Sequence, residues 1–198
     1  MEGWMIVLFF GFALMAGLAL LLIPSLYVTV PPSEVMVRST RTSTNEPSFF
    51  KEGRVLVIPL YHRYSNLSMY PMKVLFDHPT FLDQNNIRLK IKIFFTFAIS
   101  EEHEALMIAA RRFVGVRSSQ IEEMASEIFL GELRNTVSVM SVEQISDDLD
   151  SFLSIFFANA GPELSNMGLY LINCTVTKIS NESGHVGAVL AKKQRLTE

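Results

Sequence analysis

The stretch from Met5 to Ile23, MIVLFFGFALMAGLALLLI, carries no charge and no residue more polar than glycine. With Trp4 it is 20 residues long. As a helix rising ~1.5 Å per residue it would extend about 30 Å, the thickness of a bilayer's hydrocarbon core. A cleaved secretory signal needs a basic n-region, a shorter apolar stretch and a small-residue cleavage site. Here the only charged side chain before the run is Glu2, and the run leads into Ile23-Pro24-Ser25-Leu26-Tyr27. A buried core helix would show polar residues at helical spacing, and none interrupts this run. The expected reading is a retained membrane anchor, with Trp4, Phe9, Phe10, Leu14, Leu18, Leu22 and Ile23 as its lipid-facing side chains. Its length allows either a crossing or a hairpin that dips into one leaflet.

Flanking charge sets the orientation. No Lys or Arg precedes the run, while Arg38 and Arg41 follow it, which favours a cytoplasmic body behind a single N-terminal anchor. Beyond residue 23 the chain holds 17 basic against 19 acidic residues, without the basic block a nucleic-acid surface requires. Cys174 is the only cysteine, which excludes an intrachain disulfide framework and a cysteine-built zinc site. The four histidines, at 62, 78, 103 and 185, show no ligand spacing.

The first half of the body reads as strand. SEVMVRS at 33–39 and GRVLVIP at 53–59 are short apolar or alternating runs bounded by Gly and Pro. In NNIRLKIKIFFTFAIS, the residues Ile87, Leu89, Ile91, Ile93, Phe95, Phe97 and Ile99 fall at every second position, so one face is continuously apolar. LSMYPMKVLF at 67–76 is a candidate partner strand, which Pro71 assigns to an edge or a bulge.

The second half changes period. Ala105, Leu106, Ala109 and Phe113 are at helical spacing. Ser119-x-x-Glu122 reads as a capping box opening a helix with Ile121, Met124, Ala125, Ile128, Leu133 and Val137 on its apolar stripe. Ser141-x-x-Gln144 reads as a second box. A third helix is expected from about Asp147–Asp148 to Gly168, with a kink or fresh start at Pro162. LYLINCTVTKIS returns to strand, and VGAVLAKKQRLTE reads as the start of a helix. Strands, then helices, then a strand make an α+β domain. In it Ile91, Ile93 and Phe95 are expected to pack on helices carrying Ile128 and Phe152, with Lys90 and Lys92 facing water.

No nucleotide-binding glycine motif and no nucleophile elbow is present. Asp147, Asp148 and Asp150 cluster where a helix begins, so capping is the simpler account than metal binding. Arg111, Arg112 and Arg117 fit either a phosphate-bearing surface or a solvated helix end that complements the dipole. The residues therefore point to an anchored domain that is not an enzyme and needs no cofactor or metal.

Four stretches in order resemble the SPFH (band 7) domain, and within it the flotillin branch. They are VPPSEVMVRS; KEGRVLVIPLYHRYSNLSMYPM; FVGVRSSQIEEMASEIFLGELRNTVSVMSVEQISDD; and LSNMGLYLINCTVTKISNESG. Glu52-Gly53 stands where the family has paired glycines. The resemblance implies an SPFH-type α+β fold, an antiparallel-rich curved sheet packed with helices, behind an N-terminal membrane helix. The organisation is then anchor at 1–27, SPFH domain at 28–187 and the start of a C-terminal helix at 188–198.

It also implies a scaffold that associates laterally, homo- or hetero-oligomeric, on the lipid bilayer and organises microdomains or membrane partners such as an NfeD-type protein. Arg111, Arg112 and Arg117 of one protomer would face Glu122, Glu123 and Glu127 of the next. Flotillins continue into an Ala/Glu-rich coiled coil, whereas this sequence runs eleven residues past Gly187. The alternative is a small membrane-tethered module that regulates one partner membrane protein.

Overall fold

The computed structural model describes residues 3–22, 27–40, 47–58, 62–181, 186–187 and 191–194. Side chains are described for all of these except 3, 5–8, 18–22, 40, 78, 181, 186–187 and 191–194. The chain forms two compact units, Met1–Leu67 and Ser68–Glu198.

The first unit opens with helix α1 (Gly3–Leu22), followed by β1 (Tyr27–Val30), β2 (Glu34–Thr40), β3 (Ser48–Phe50), β4 (Gly53–Leu56) and β5 (His62–Ser68). Strands β1 and β4 pair antiparallel, with Val28 opposite Val55. Strand β2 lies between β3 and β5. Alternation sorts the side chains: Val30, Met36, Val55 and Val57 form a small buried core, against which Val28 and Phe50 pack. The turn into β4 needs one residue at positive φ, and Gly53 supplies it at 105°. One glycine suffices there, so Glu52 is accommodated in place of a second.

Polar contacts tie the strands of this unit together. Asn66 Nδ2 on β5 donates to Glu34 Oε2 on β2 at 2.7 Å. Arg38 donates from Nη1 to the Leu56 carbonyl at 3.3 Å, and its guanidinium lies 4.7 Å from the centre of the Phe50 ring.

The second unit contains β6 (Met72–Leu82), β7 (Arg88–Ile99), α2 (His103–Phe113), α3 (Ser118–Ser138), α4 (Val142–Asp147), α5 (Leu149–Ser165), β8 (Leu169–Asn181), β9 (Val186–Gly187) and β10 (Ala191–Gln194). Its sheet is antiparallel in the order β10-β8-β7-β6, with β9 also on β8. The apolar face of β7 is the centre of the core: Leu89, Ile91, Ile93, Phe95, Phe97 and Ile99 are all buried. The Phe95 ring stacks on Phe129 of α3 at 4.5 Å and on Phe156 of α5 at 5.0 Å between centroids. Phe152 is buried as expected, but Ile128 is only half-buried, and Phe129 takes the place assigned to it. Lys90 is exposed, and Lys92 reaches Asp77 across the strand pair at 2.9 Å.

Four expectations about boundaries change. The N-cap of helix α3 is Arg117, not Ser119, so Ser119 and Glu122 lie inside the helix and form no capping box: Arg117 is extended, and Gln120 Oε1 accepts from its N–H at 3.3 Å. The tight link from α2, with Gly115 at φ 80°, brings the chain into the helix two residues sooner. The second box holds, with reciprocal bonds of 3.2 and 2.9 Å between Ser141 and Gln144. Helix α5 makes no fresh start at Pro162, because a proline this near the C-terminus forfeits little of the ladder and Asn166 N–H still bonds the Pro162 carbonyl at 2.9 Å. The 67–76 stretch is divided, with β6 beginning at Met72 just after Pro71 and forming the sheet edge.

Residues 191–194 are strand β10 rather than the start of a helix. So short a segment gains little as an isolated helix, whereas the open side of β8 offers it a ladder.

Candidate functional site

Two surfaces hold the residues that the sequence singles out. The first is α1, continuous over 20 residues. Trp4, Phe9, Phe10 and Leu14 are all exposed along it, Leu14 at 78%. Phe9 and Phe10 meet edge to face at 6.3 Å. Leu18 and Leu22 lie in the helix with their side chains outside the description, and Ile23 lies outside the described residues. Among the described residues no helix is long and apolar enough to cross a membrane. In α1 the described side chains are Trp4 and the run from Phe9 to Gly17.

Beyond α1, periodicity gave no sign of a further apolar pair. Tyr27 and Leu56 are direct cross-strand partners on β1 and β4, and both are exposed, as is Ile58. The opposite face of the same two strands carries Val28, Val30 and Val55 into the core. On that exposed face the pair lies beside Thr29 and Arg54, so the ribbon presents two apolar side chains next to a cation. The sign in the sequence was Tyr27 itself, an amphipathic ring directly after an apolar run.

The second surface surrounds the α2–α3 link. Arg111 and Arg112 are exposed in the last turn of α2, and Arg117 is exposed at the N-cap of α3. Glu123 and Glu127, four residues apart, are on the exposed stripe of α3, while Glu122 is half-buried and separates from them. The three cations thus gather around one helix junction, and two of the three acids share one helix face.

The aspartates resolve into local roles. Asp148 Oδ1 accepts from Ser151 N–H at 2.9 Å and caps α5, Asp150 lies in the first turn of α5, and Asp147 ends α4. Among the described residues no group of three or more His, Cys, Asp or Glu side chains is placed to hold a metal ion. Cys174 is buried in β8, and burial pushes its thiol far above the ordinary range, so it stays protonated and unreactive.

Residues 28–197 match the family model described as SPFH domain / Band 7 family. Flotillin-1 of Drosophila melanogaster is 23% identical over 161 residues, covering 81% of this chain and 38% of the relative. Flotillin-1 of Homo sapiens is 23% identical over 162 residues, with the same 81% and 38% coverage. The flotillin-like protein FloT of Bacillus subtilis (strain 168) is 22% identical over 142 residues, covering 72% of this chain and 28% of the relative. The chain therefore spans well under half the length of the relatives it matches.

Proposed function

The chain belongs to the SPFH domain / Band 7 family, and on that premise we propose that it is a membrane-anchored, non-enzymatic scaffold of the flotillin type. It associates laterally and organises membrane microdomains or membrane-protein partners. The observation that carries this reading is the run of exposed apolar side chains on α1, followed within the same unit by the exposed Tyr27–Leu56 pair. In water such a surface would cost roughly 25 cal/mol per Å² of apolar area, which a bilayer removes. Trp4 at one end and Tyr27 beyond the other suit the two interfacial zones of a single span. Arg38 and Arg41 follow the helix closely, and basic residues on that flank favour a body on the cytoplasmic side.

Lateral association follows from tethering. A domain confined to a surface meets its neighbours at high effective concentration, so modest contacts suffice, and repeated head-to-tail contacts close into rings when the rotation permits. Arg111, Arg112 and Arg117 on one protomer and Glu123 and Glu127 on the next supply contacts of opposite sign, with Glu122 a lesser contributor. The partners of this reading are lipid, further copies or close relatives of the chain, and a membrane protein such as an NfeD-type partner. Negative-stain imaging of detergent-extracted full-length protein tests it: large closed particles are expected. A small complex of fixed size would instead favour a tethered regulatory module acting on one membrane protein.

A further inference from the structure

We propose that strand β6 is a second self-association surface, through which two copies pair edge to edge about a two-fold axis at Leu75. This contact lies wholly in the second unit and does not rest on the membrane reading. Strand β6 ends the sheet, with β7 on one side and, among the described strands, none on the other. Solvent-exposed edges are ordinarily blunted by short length, charge, proline or a bulge. Strand β6 carries Lys73, Asp77, Pro79 and a register shift after Asp77, so it can accept only a strand whose charges and prolines match its own. Here the edge strand is 11 residues long, and its outward-facing Leu75 is 48% exposed. Its cross-strand partner on β7, Phe94, is 38% exposed.

Apolar exposure alone names no occupant, but the sequence of the edge does. Residues 71–79 read PMKVLFDHP. Antiparallel pairing of this segment with its own copy, centred on Leu75, sets Lys73 opposite the partner's Asp77 and Asp77 opposite the partner's Lys73. Leu75 then meets its own copy, and Val74 meets the partner's Phe76. Both ends of the ladder close on Pro71 opposite the partner's Pro79, where neither side has an N–H to donate. The regular part of β6, Met72–Asp77, holds the Lys73–Asp77 and Val74–Phe76 pairs of this register, and the pairing with β7 shifts between Asp77 and Thr80, where the proposed ladder ends.

The two faces agree with this register. Side chains alternate along β6, with Lys73, Leu75 and Asp77 exposed and Val74 buried on the helix side. A centre on one residue keeps the helix side of both copies on the same face, whereas a slip of one residue would set buried against exposed positions. Centring on Val74 or Phe76 also satisfies the faces but sets Lys73 opposite Leu75 or Pro79, and the charge match is lost. On the helix side, Phe76 is half-buried and already meets Phe95 edge to face at 5.8 Å, so covering it extends the existing core. On the outer side, Asp77 holds Lys92 at 2.9 Å and would receive the partner's Lys73 as a second cation.

The test uses full-length protein in detergent and a short thiol-specific cross-linker, since buried Cys174 gives a silent background. Leu75→Cys should cross-link to a homodimer. Lys73→Cys alone should not, but mixed with Asp77→Cys it should. Cross-linking of Leu75→Cys no greater than that of Val139→Cys, an exposed control in the turn after α3, would overturn the proposal. So would a cross-link from Leu75→Cys to a different polypeptide in place of a second copy. Leu75→Lys, which places like charges on the axis at an already exposed position, should weaken two-fold association at least tenfold while the circular dichroism spectrum is unchanged. An unaltered mass distribution in that variant would also overturn it. Arg112→Glu should leave the Leu75→Cys cross-link intact, so this contact and head-to-tail assembly fail separately.

Discussion

The carboxylate of Asp83 accepts a hydrogen bond from the backbone N–H of Val142 at 3.2 Å, joining residues 59 apart in the chain. Its other oxygen accepts from Asn85 N–H at 2.8 Å and Ile87 N–H at 2.7 Å, closing the β6–β7 turn in which Asn86 takes positive φ. One buried side chain thus fixes a hairpin and the start of α4 together. Removing it leaves three donors short of an acceptor.

Asp83→Ala should therefore destabilise the fold by about 2–3 kcal/mol, since the buried Val142 donor left unsatisfied costs roughly 1–3 kcal/mol while the part-buried Asn85 and Ile87 donors recover water in part. Asp83→Asn can keep an oxygen towards the turn but sets an amide donor against Val142 N–H. It should cost about half as much and speed amide exchange at Val142 more than at Asn85 or Ile87. Chemical denaturation and residue-resolved hydrogen exchange measure both. Equal exchange at all three amides would contradict the division of labour between the two oxygens.

Gly168 and Gly115 separate conformational strain from steric clash. Both have positive φ, 76° and 80°. A Cβ on Gly115 would meet nothing within 4 Å, whereas one on Gly168 would strike the Ala105 carbonyl and lie 2.7 Å from Ala109 N. Gly115→Ala should cost about 1–2 kcal/mol from backbone strain alone. Gly168→Ala should exceed it by at least ~2 kcal/mol, because α2 must shift to admit the methyl group. Thermal midpoints of the two variants that fall together would mean that the turn after α5 is looser than the packing implies.

The β7 core gives a graded series. Ile93→Ala should cost about 2–5 kcal/mol and Phe129→Ala about 3–5, as cavities in a packed interior. Lys92→Ala should cost under ~1 kcal/mol, because its partner Asp77 is largely exposed and the pair is screened. Comparable small losses from all three in urea denaturation would rule out a half-buried strand.

The contrast between Ile128 and Phe129 shows what the sequence could convey. Period-two alternation in β7 is a local property of the backbone, and it identified six of the seven buried positions from Leu89 to Ile99; it missed Ala98, on the opposite face, which the fold covers near the strand's end. On α3 the apolar stripe is broad enough that Ile128 and Phe129 both border it. The choice between them came from the rings of Phe95 and Phe156, which lie on other elements. Strand β10 was illegible for the same reason, since only the open side of β8 favours extension there. The apolar run of α1 was visible outright, but the Tyr27–Leu56 pair required the β1–β4 register. The charges around the α2–α3 link were legible as types, and only the fold separated half-buried Glu122 from Glu123 and Glu127.

For the anchor, Leu14→Arg combined with Leu18→Arg should release the protein from membranes washed at alkaline pH. Each arginine near mid-bilayer costs ~2.5–3.5 kcal/mol on insertion scales, and two exceed what the interfacial Trp4 and Tyr27 can recover. A double variant that still sediments with the washed membranes would refute the anchor.

Head-to-tail assembly makes a prediction about charge. Arg112 is exposed at the C-terminal end of α2, and Glu123 is exposed on the second turn of α3. If these meet across protomers, Arg112→Glu should shorten the cross-linking ladder of the membrane-bound protein, and adding Glu123→Arg should restore it at least in part. Exposed ion pairs contribute only ~0.2–1 kcal/mol each, so one reversal should lower the ladder's length rather than abolish it. The effect should shrink as salt rises from 0.05 to 0.5 M, because the Debye length falls to a few ångströms. A ladder unchanged by Arg112→Glu at low salt would remove these residues from the contact. A strictly monomeric full-length protein in native lipid would defeat the scaffold reading itself.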